Sequence, residues 1–392
     1  MIDVNNSRIN VMLLASSLEC GGAERQIVGL ANQLDPTRFD VHVCSLSPNN
    51  PLASELSAPE RFHVIEKRRK YDVSLVTRVA RLLKEQDIDV LHCFLFKAEM
   101  VGRLAARVAR TSAVIASNRC PHFLHPKLML WAARATSGYF DMMVANSWAG
   151  RDFEVTRQGI DPSKVVVIPN GVDTNHFRPM DGLLKRSEMA IDPSAKVVGM
   201  FAHFRGNKNH AMFLEAAVRV SRTCPEAVFV CVGGADGEMG RALYAGARRL
   251  VEDRGIADRV LFLGERRDMA ELYNICDIKV LASIYEGTAN VLLEAMASGL
   301  PVIATDAGDN ARVILNGETG FVIRIDDIET LTDRLRCLLT DDALRERMGG
   351  AARARVQHEF SIPALVCKTG DLYLQVLRSK GMIKEVMTCN PR

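Results

Sequence analysis

The chain has 392 residues, 48% hydrophobic and 25% charged, with a net charge of +3. That length is too great for one ordinary core and fits two soluble domains. Ten scattered cysteines with no CxxC pair suit reduced, buried thiols in a cytoplasm, and without short-spaced clusters of Cys or His no metal site is expected. No stretch reaches eighteen apolar residues, so no membrane-spanning helix is expected.

From the N-terminus, short aliphatic runs alternate with helix-period stretches. Buried strands are expected at 9–15, 40–46, 89–95, 113–117, 142–146 and 165–169, with amphipathic helices such as 24–34 and 74–85 between them. Continuous β-branched runs separated by helices predict parallel strands covered on both faces, the doubly wound α/β pattern. Turn formers cluster in PNGVDTNHFRPMDG (169–182), and the alternation then restarts. Strands are expected at 196–202, 227–234, 260–264, 278–283 and 301–305, and helices at 210–223, 240–255, 268–276 and 290–298. Three helices follow, near 328–339, 342–359 and 362–380. Two doubly wound units in tandem are therefore predicted, joined near residues 178–182.

The segment 61–134 carries 15 lysines and arginines against 6 acidic residues, including Lys67-Arg68-Arg69-Lys70. This excess favours an anionic neighbour such as a lipid headgroup surface or a phosphorylated acceptor, although a solvated helical face explains any single charge run. Aromatic residues are not interleaved with the basic ones, so no nucleic-acid partner is expected.

Ligands of open α/β sheets sit beyond the carboxyl ends of the strands, and three loops there hold candidates. In SLECGGAERQ (17–26), Gly21 and Gly22 permit close backbone approach before a helix that offers free N–H groups to an anion. The loop is not GxGxxG and no GxxxxGK occurs, which disfavours nicotinamide, flavin and P-loop chemistry. In FAHFRGNKNH (201–210), His203, Arg205 and Lys208 gather at a strand end where they can neutralise phosphates; a solvated basic turn is the plainer alternative. In SIYEGTANVLLEAM (283–296), Glu286 lies in the loop and Glu294 on the following helix, around free amides near Thr288–Val291. A diphosphate fits those amides and the carboxylates suit sugar hydroxyls, but helix capping by Glu286 and an arginine partner for Glu294 explain the pattern equally well.

Taken in order, GGAER (21–25), PNGVDTNHFRP (169–179), FRGNKNH (204–210), VGG (232–234), FLGERRD (262–268) and EGTANVLLEAMASGLPVIATD (286–306) resemble the glycosyltransferase family 4 enzymes. These are retaining, GT-B-fold transferases of bacterial polysaccharide and glycolipid synthesis. The two glutamates followed by AMASGLPVIATD are the specific part; the diglycine and VGG are weak alone. The resemblance implies two Rossmann-like domains facing a cleft, an acceptor-binding one over 1–179 and a nucleotide-sugar-binding one over 180–371. A final helix, about 372–392, is expected to pack back on the first. It implies no metal and no cofactor apart from the nucleotide-sugar substrate, with UDP-sugar expected ahead of GDP-sugar.

Carried over by position, Lys208 would contact donor phosphates, Glu286 the donor sugar and Glu294 the ribose. Gly287, Thr288, Ala289, Asn290 and Val291 would present amides, Gly21, Gly22 and Gly233 would approach the donor, and Arg266 would lie beside the base. The family's usual arginine and glycine are replaced by His203 and Ala202, so Arg205 or a protonated His203 would supply the missing charge. On the acceptor side, His92, Asn118, Arg119 and His122 are candidates for a histidine many members carry. The expected activity is sugar transfer to a glycan or lipid-linked acceptor, in the cytoplasm or peripherally on the inner membrane face. A catalytically silent nucleotide-sugar-binding homologue and a nucleotide-sugar epimerase are the alternatives.

Overall fold

The computed structural model describes residues 8–19, 21–68, 72–118, 131 and 133–383. The chain divides into two compact units, Met1–Gly171 with Ile362–Arg392, and Val172–Ser361.

The first unit holds a parallel sheet of β1 (Ile9–Ala15), β2 (Phe39–Ser45), β3 (Phe62–Val64), β4 (Val90–Phe94), β5 (Ala113–Asn118), β6 (Met142–Ala145) and β7 (Val165–Val167), in the order β3-β2-β1-β4-β5-β6-β7. Among the described residues before Gly171 its helices include α1 (Gly22–Gln33), α2 (Ser74–Glu85), α3 (Phe96–Ala109) and α4 (Trp148–Thr156). The second holds α5 (Leu183–Glu188), β8 (Lys196–Phe201), α6 (His210–Ser221), β9 (Ala227–Val232), α7 (Gly237–Asp253), β10 (Val260–Gly264) and α8 (Met269–Asn274). It continues through β11 (Ile278–Leu281), α9 (Asn290–Ala297), β12 (Val302–Thr305), α10 (Asn310–Val313), β13 (Gly320–Ile323), α11 (Ile328–Thr340) and α12 (Asp342–Glu359), its parallel strands in the order β10-β9-β8-β11-β12-β13. The last helix, α13 (Ile362–Ser379), belongs to the first unit.

The aliphatic runs become buried strands because helices cover both faces of each sheet. Along β1, Ile9, Val11 and Leu13 join a core with α1 and α13, whereas Met12 and Leu14 join one with α2 and α3. Along β8, Val198 and Met200 face α6 and α11, while Val197 and Phe201 face α8 and α9.

The crossings between units fall at Gly171/Val172 and Ser361/Ile362, rather than near 179/180 and 371/372, the bounds expected from the resemblance. Two local devices account for this. Buried Gln26 of α1 accepts from Gly171 N (2.7 Å) and donates to Gly171 O (2.9 Å), which holds Gly171 to the first unit. Val172 N donates to Phe360 O (2.8 Å), which ties the next residue to the second. α13 joins the first unit over its whole length: Ile362 lies against Gly29 of α1, and the Tyr373 hydroxyl is 2.7 Å from His92 Nδ1 on β4.

Candidate functional site

In the second sheet, β8 and β11 are neighbours whose following connections run to opposite sides, β8 toward β9 and β11 toward β12. Ligands bind at such a reversal of strand order, beyond the carboxyl ends. The loops after β8 and β11 meet there: Ile284 N donates to Asn207 O at 2.8 Å. Lys208, in a single 3₁₀ turn, forms an ion pair with Glu286 through Oε1. Ser283, fully buried at the end of β11, donates to the same oxygen at 2.6 Å. Both bonds are charge-assisted, and together they aim the carboxylate while leaving Oε2 for an outside donor.

The Glu286 loop is braced from behind. Gly308, after β12, has φ +58°, and a side chain there would run into the Glu286 carbonyl. Gly287 and Thr288 lead into α9, whose N-cap residue, Ala289, has no side-chain oxygen to satisfy the first amides. Asn290 and Val291 are the first two residues of α9, four and five positions after Glu286.

Glu294, the fifth residue of α9, is held by a neighbour that the sequence reading did not single out. The Tyr273 hydroxyl on α8 donates to Glu294 Oε2 at 2.8 Å and lies 3.2 Å from Val291 O. Tyr273 is fully buried, its ring stacked on Phe201 at 4.5 Å. Burial first, then the Glu294 charge, pushes its phenol well above the usual range, so it remains a donor. A second such residue is Lys279, a lysine inside the aliphatic run of β11 that is fully buried beneath this site. Burial pushes its ammonium down to about 7, with Cys276, Glu294 and Glu286 acting in the opposite sense.

The other expected residues are more dispersed. His203 lies over Gly234, its Nδ1 3.3 Å from Asp236 Oδ2. Exposed Arg205 lines a groove with Asn209, Ala242 and Leu243, between α6 and α7. Gly233 is packed against backbone, since a side chain would meet the Ala202 carbonyl. Arg266 is drawn onto Asp268, with Nε 2.8 Å from Oδ1 and Nη2 2.5 Å from Oδ2. Gly21 caps α1 in an extended conformation, and the Glu24 carboxylate folds over it. Gly22 is the first residue of α1.

His92 is buried among Phe94 and Tyr373, on the face of β4 that α13 covers. Asn118 ends β5, while Arg119 and His122 lie outside the described residues.

With this geometry in view, two family models match the chain: one described as Glycosyltransferase Family 4 over residues 20–176, the other as Glycosyl transferases group 1 over 184–355. The Escherichia coli UDP-Gal:alpha-D-GlcNAc-diphosphoundecaprenol alpha-1,3-galactosyltransferase is 28% identical over 79% of this chain and 81% of its own length. The Bacillus anthracis N-acetyl-alpha-D-glucosaminyl L-malate synthase is 28% identical over 79% of this chain and 80% of its own. Among solved structures, a glycosyltransferase from Rickettsia africae superposes with a TM-score of 0.83 at 20% identity, covering 95% of this chain and 99% of that one. The Anabaena protein HepE in complex with UDP superposes with a TM-score of 0.81 at 21% identity, covering 94% of this chain and all of that one. At these identities the two structures speak for the fold alone.

Proposed function

The chain belongs to glycosyltransferase family 4, and on that premise we propose that it moves a sugar, with retained anomeric configuration, from a UDP-sugar to a hydroxyl of a lipid-linked glycan acceptor. The observation that carries the site assignment is Lys208 against Glu286 at the strand-order reversal, in the loop that leads into α9.

The barrier in such a transfer is departure of the nucleoside diphosphate, so stabilisation must grow as negative charge develops on it. Lys208 and the first amides of α9 supply that stabilisation. Glu286, aimed by Ser283 and Lys208, accepts from hydroxyls of the donor sugar and orients its anomeric carbon. Glu294, held by Tyr273, accepts from the ribose hydroxyls. No carboxylate need serve as a covalent nucleophile, unlike in a retaining glycosidase. Uridine as the carrier is supported by the name of the Escherichia relative.

Among the described residues no helix is long and apolar enough to cross a membrane. A lipid-linked acceptor would be met at a membrane surface, for which the basic segment 61–134 is suited. Within it Lys67 and Arg68 are exposed; Arg69 and Lys70 lie outside the described residues. Anionic vesicles should bind the protein at low salt and release it at high salt.

The direct test is thermal denaturation against UDP, GDP and their common sugar conjugates, followed by transfer from the stabilising donor to a short-chain polyprenyl diphospho-sugar. UDP should raise the melting temperature, and product should form only with acceptor present. Absence of any nucleotide effect, or conversion of the donor to an epimer without acceptor, would overturn the assignment.

A further inference from the structure

Lys279 is the least expected residue near this site. Side chains of β11 alternate across the sheet: Ile278 and Val280 join the core against α6 and α11, and Leu281 joins the core formed with α8, α9 and α12. Lys279 shares the face of Leu281. Its ammonium donates to Val280 O at 2.7 Å and lies 5.3 Å from the centre of the Phe201 ring, which stacks on Tyr273, the residue that holds Glu294. A position in the middle of a doubly covered parallel sheet ordinarily takes an aliphatic side chain. A buried ammonium is costly there, and a methionine of similar length would pack without that cost.

The charged groups around it explain what a lysine can do that a methionine cannot. Glu286 from the β11 loop, Glu294 from α9 and the Cys276 thiol after α8 act to favour its charge, Lys208 from the β8 loop opposes it, and burial opposes it most. Tyr273 of α8, whose phenol burial pushes well above the usual range, stays a neutral donor to Glu294. Two carboxylates of the candidate site thus act on a buried lysine whose ammonium burial pushes down to about 7.

We propose that Lys279 is a positioning residue of the donor site: a buried countercharge that takes up a proton from solvent when a nucleoside diphosphate settles at Lys208 and the start of α9, and so keeps Glu286 and Glu294 directed at the donor. The proposal rests on the sugar-transfer reading. It adds to that reading a link between donor binding and protonation at a residue that need not touch the donor.

The test is titration calorimetry of UDP into the full-length protein at pH 8, in two buffers of different ionisation heat, with wild type and Lys279→Met. Wild type should take up close to one proton more per UDP than the variant. Its affinity should weaken as pH rises above 7, by up to about tenfold per pH unit, while that of Lys279→Met stays flat and lower at pH 7. Equal proton uptake and parallel pH profiles would overturn the proposal while leaving the sugar-transfer reading intact. Wild type that binds no nucleotide would overturn both. If Lys279→Met loses its circular dichroism signal, Lys279→Arg, a permanent cation, replaces it. Flat affinity between pH 6.5 and 8.5 in that variant supports the proposal, and a retained slope overturns it.

Discussion

Glu286 receives Lys208 and Ser283 on one carboxylate oxygen, so its orientation depends on two neighbours at once. Lys208→Ala and Glu286→Ala should each lower kcat/KM by about 100-fold, the scale of one strong transition-state contact. Because the two are in direct contact, the double variant should lose less than the product of the single losses; steady-state kinetics of the three variants checks this. Tyr273→Phe removes the hydroxyl that holds Glu294. A hydrogen bond to a charged group is worth about 1.5–3 kcal/mol, so donor KM should rise about tenfold or more with kcat little changed. The glutamate pair was legible in the sequence because carboxylates stand out in an aliphatic stretch. Tyr273 and Lys279 were not, because their parts depend on which face of a strand or helix they take and on what covers it.

At the scale of elements, the Glu286 loop is set by the turn after β12. Gly308→Ala would place a methyl group against the Glu286 carbonyl at a positive φ, at a cost of about 1–3 kcal/mol. Urea denaturation should register that loss, and kcat/KM should fall further than the stability change alone explains. Long, strongly patterned elements matched their expected spans: β1, β10, α2 and α12 lie where periodicity placed them. The edge strands β3 and β13 escaped notice. β3 has three residues, all partly exposed, and β13 opens on a glycine backed against Val302, so neither makes a long aliphatic run.

At the scale of the whole molecule, His42, His63 and His210 contribute to the response to acid. Burial lowers His42 and His63 from their ordinary 6.5, and His42 lowers His63 further. Burial also brings His210 down to about 4, against the bond to the Ala202 carbonyl. Each binds protons more readily in the unfolded chain than in the folded one. Their stabilising contribution is therefore complete above about pH 6.5 and is lost as pH falls toward 4. Urea midpoints should decline through that window, and His210→Gln should flatten the decline below pH 6. The two-domain α/β plan was legible from the restart of alternation after residue 182. The crossings were not, because Gln26 clamps Gly171 from a distance of 145 residues in sequence. Tyr373→Ala would remove a fully buried ring from between Phe39 and His92, and should cost about 3–5 kcal/mol in chemical denaturation.

The return of α13 to the first unit also sets a timetable for synthesis. When a ribosome has completed β7, the part of the sheet face beside α1 that α13 will cover is still without that helix, and the 190 residues of Val172–Ser361 must be made before it emerges. At ~5–20 residues per second this takes about 10–40 seconds. During that interval the nascent N-terminal half exposes an apolar flank, the period when a chaperone has most to protect. A message truncated before codon 362 would leave the flank uncovered for good.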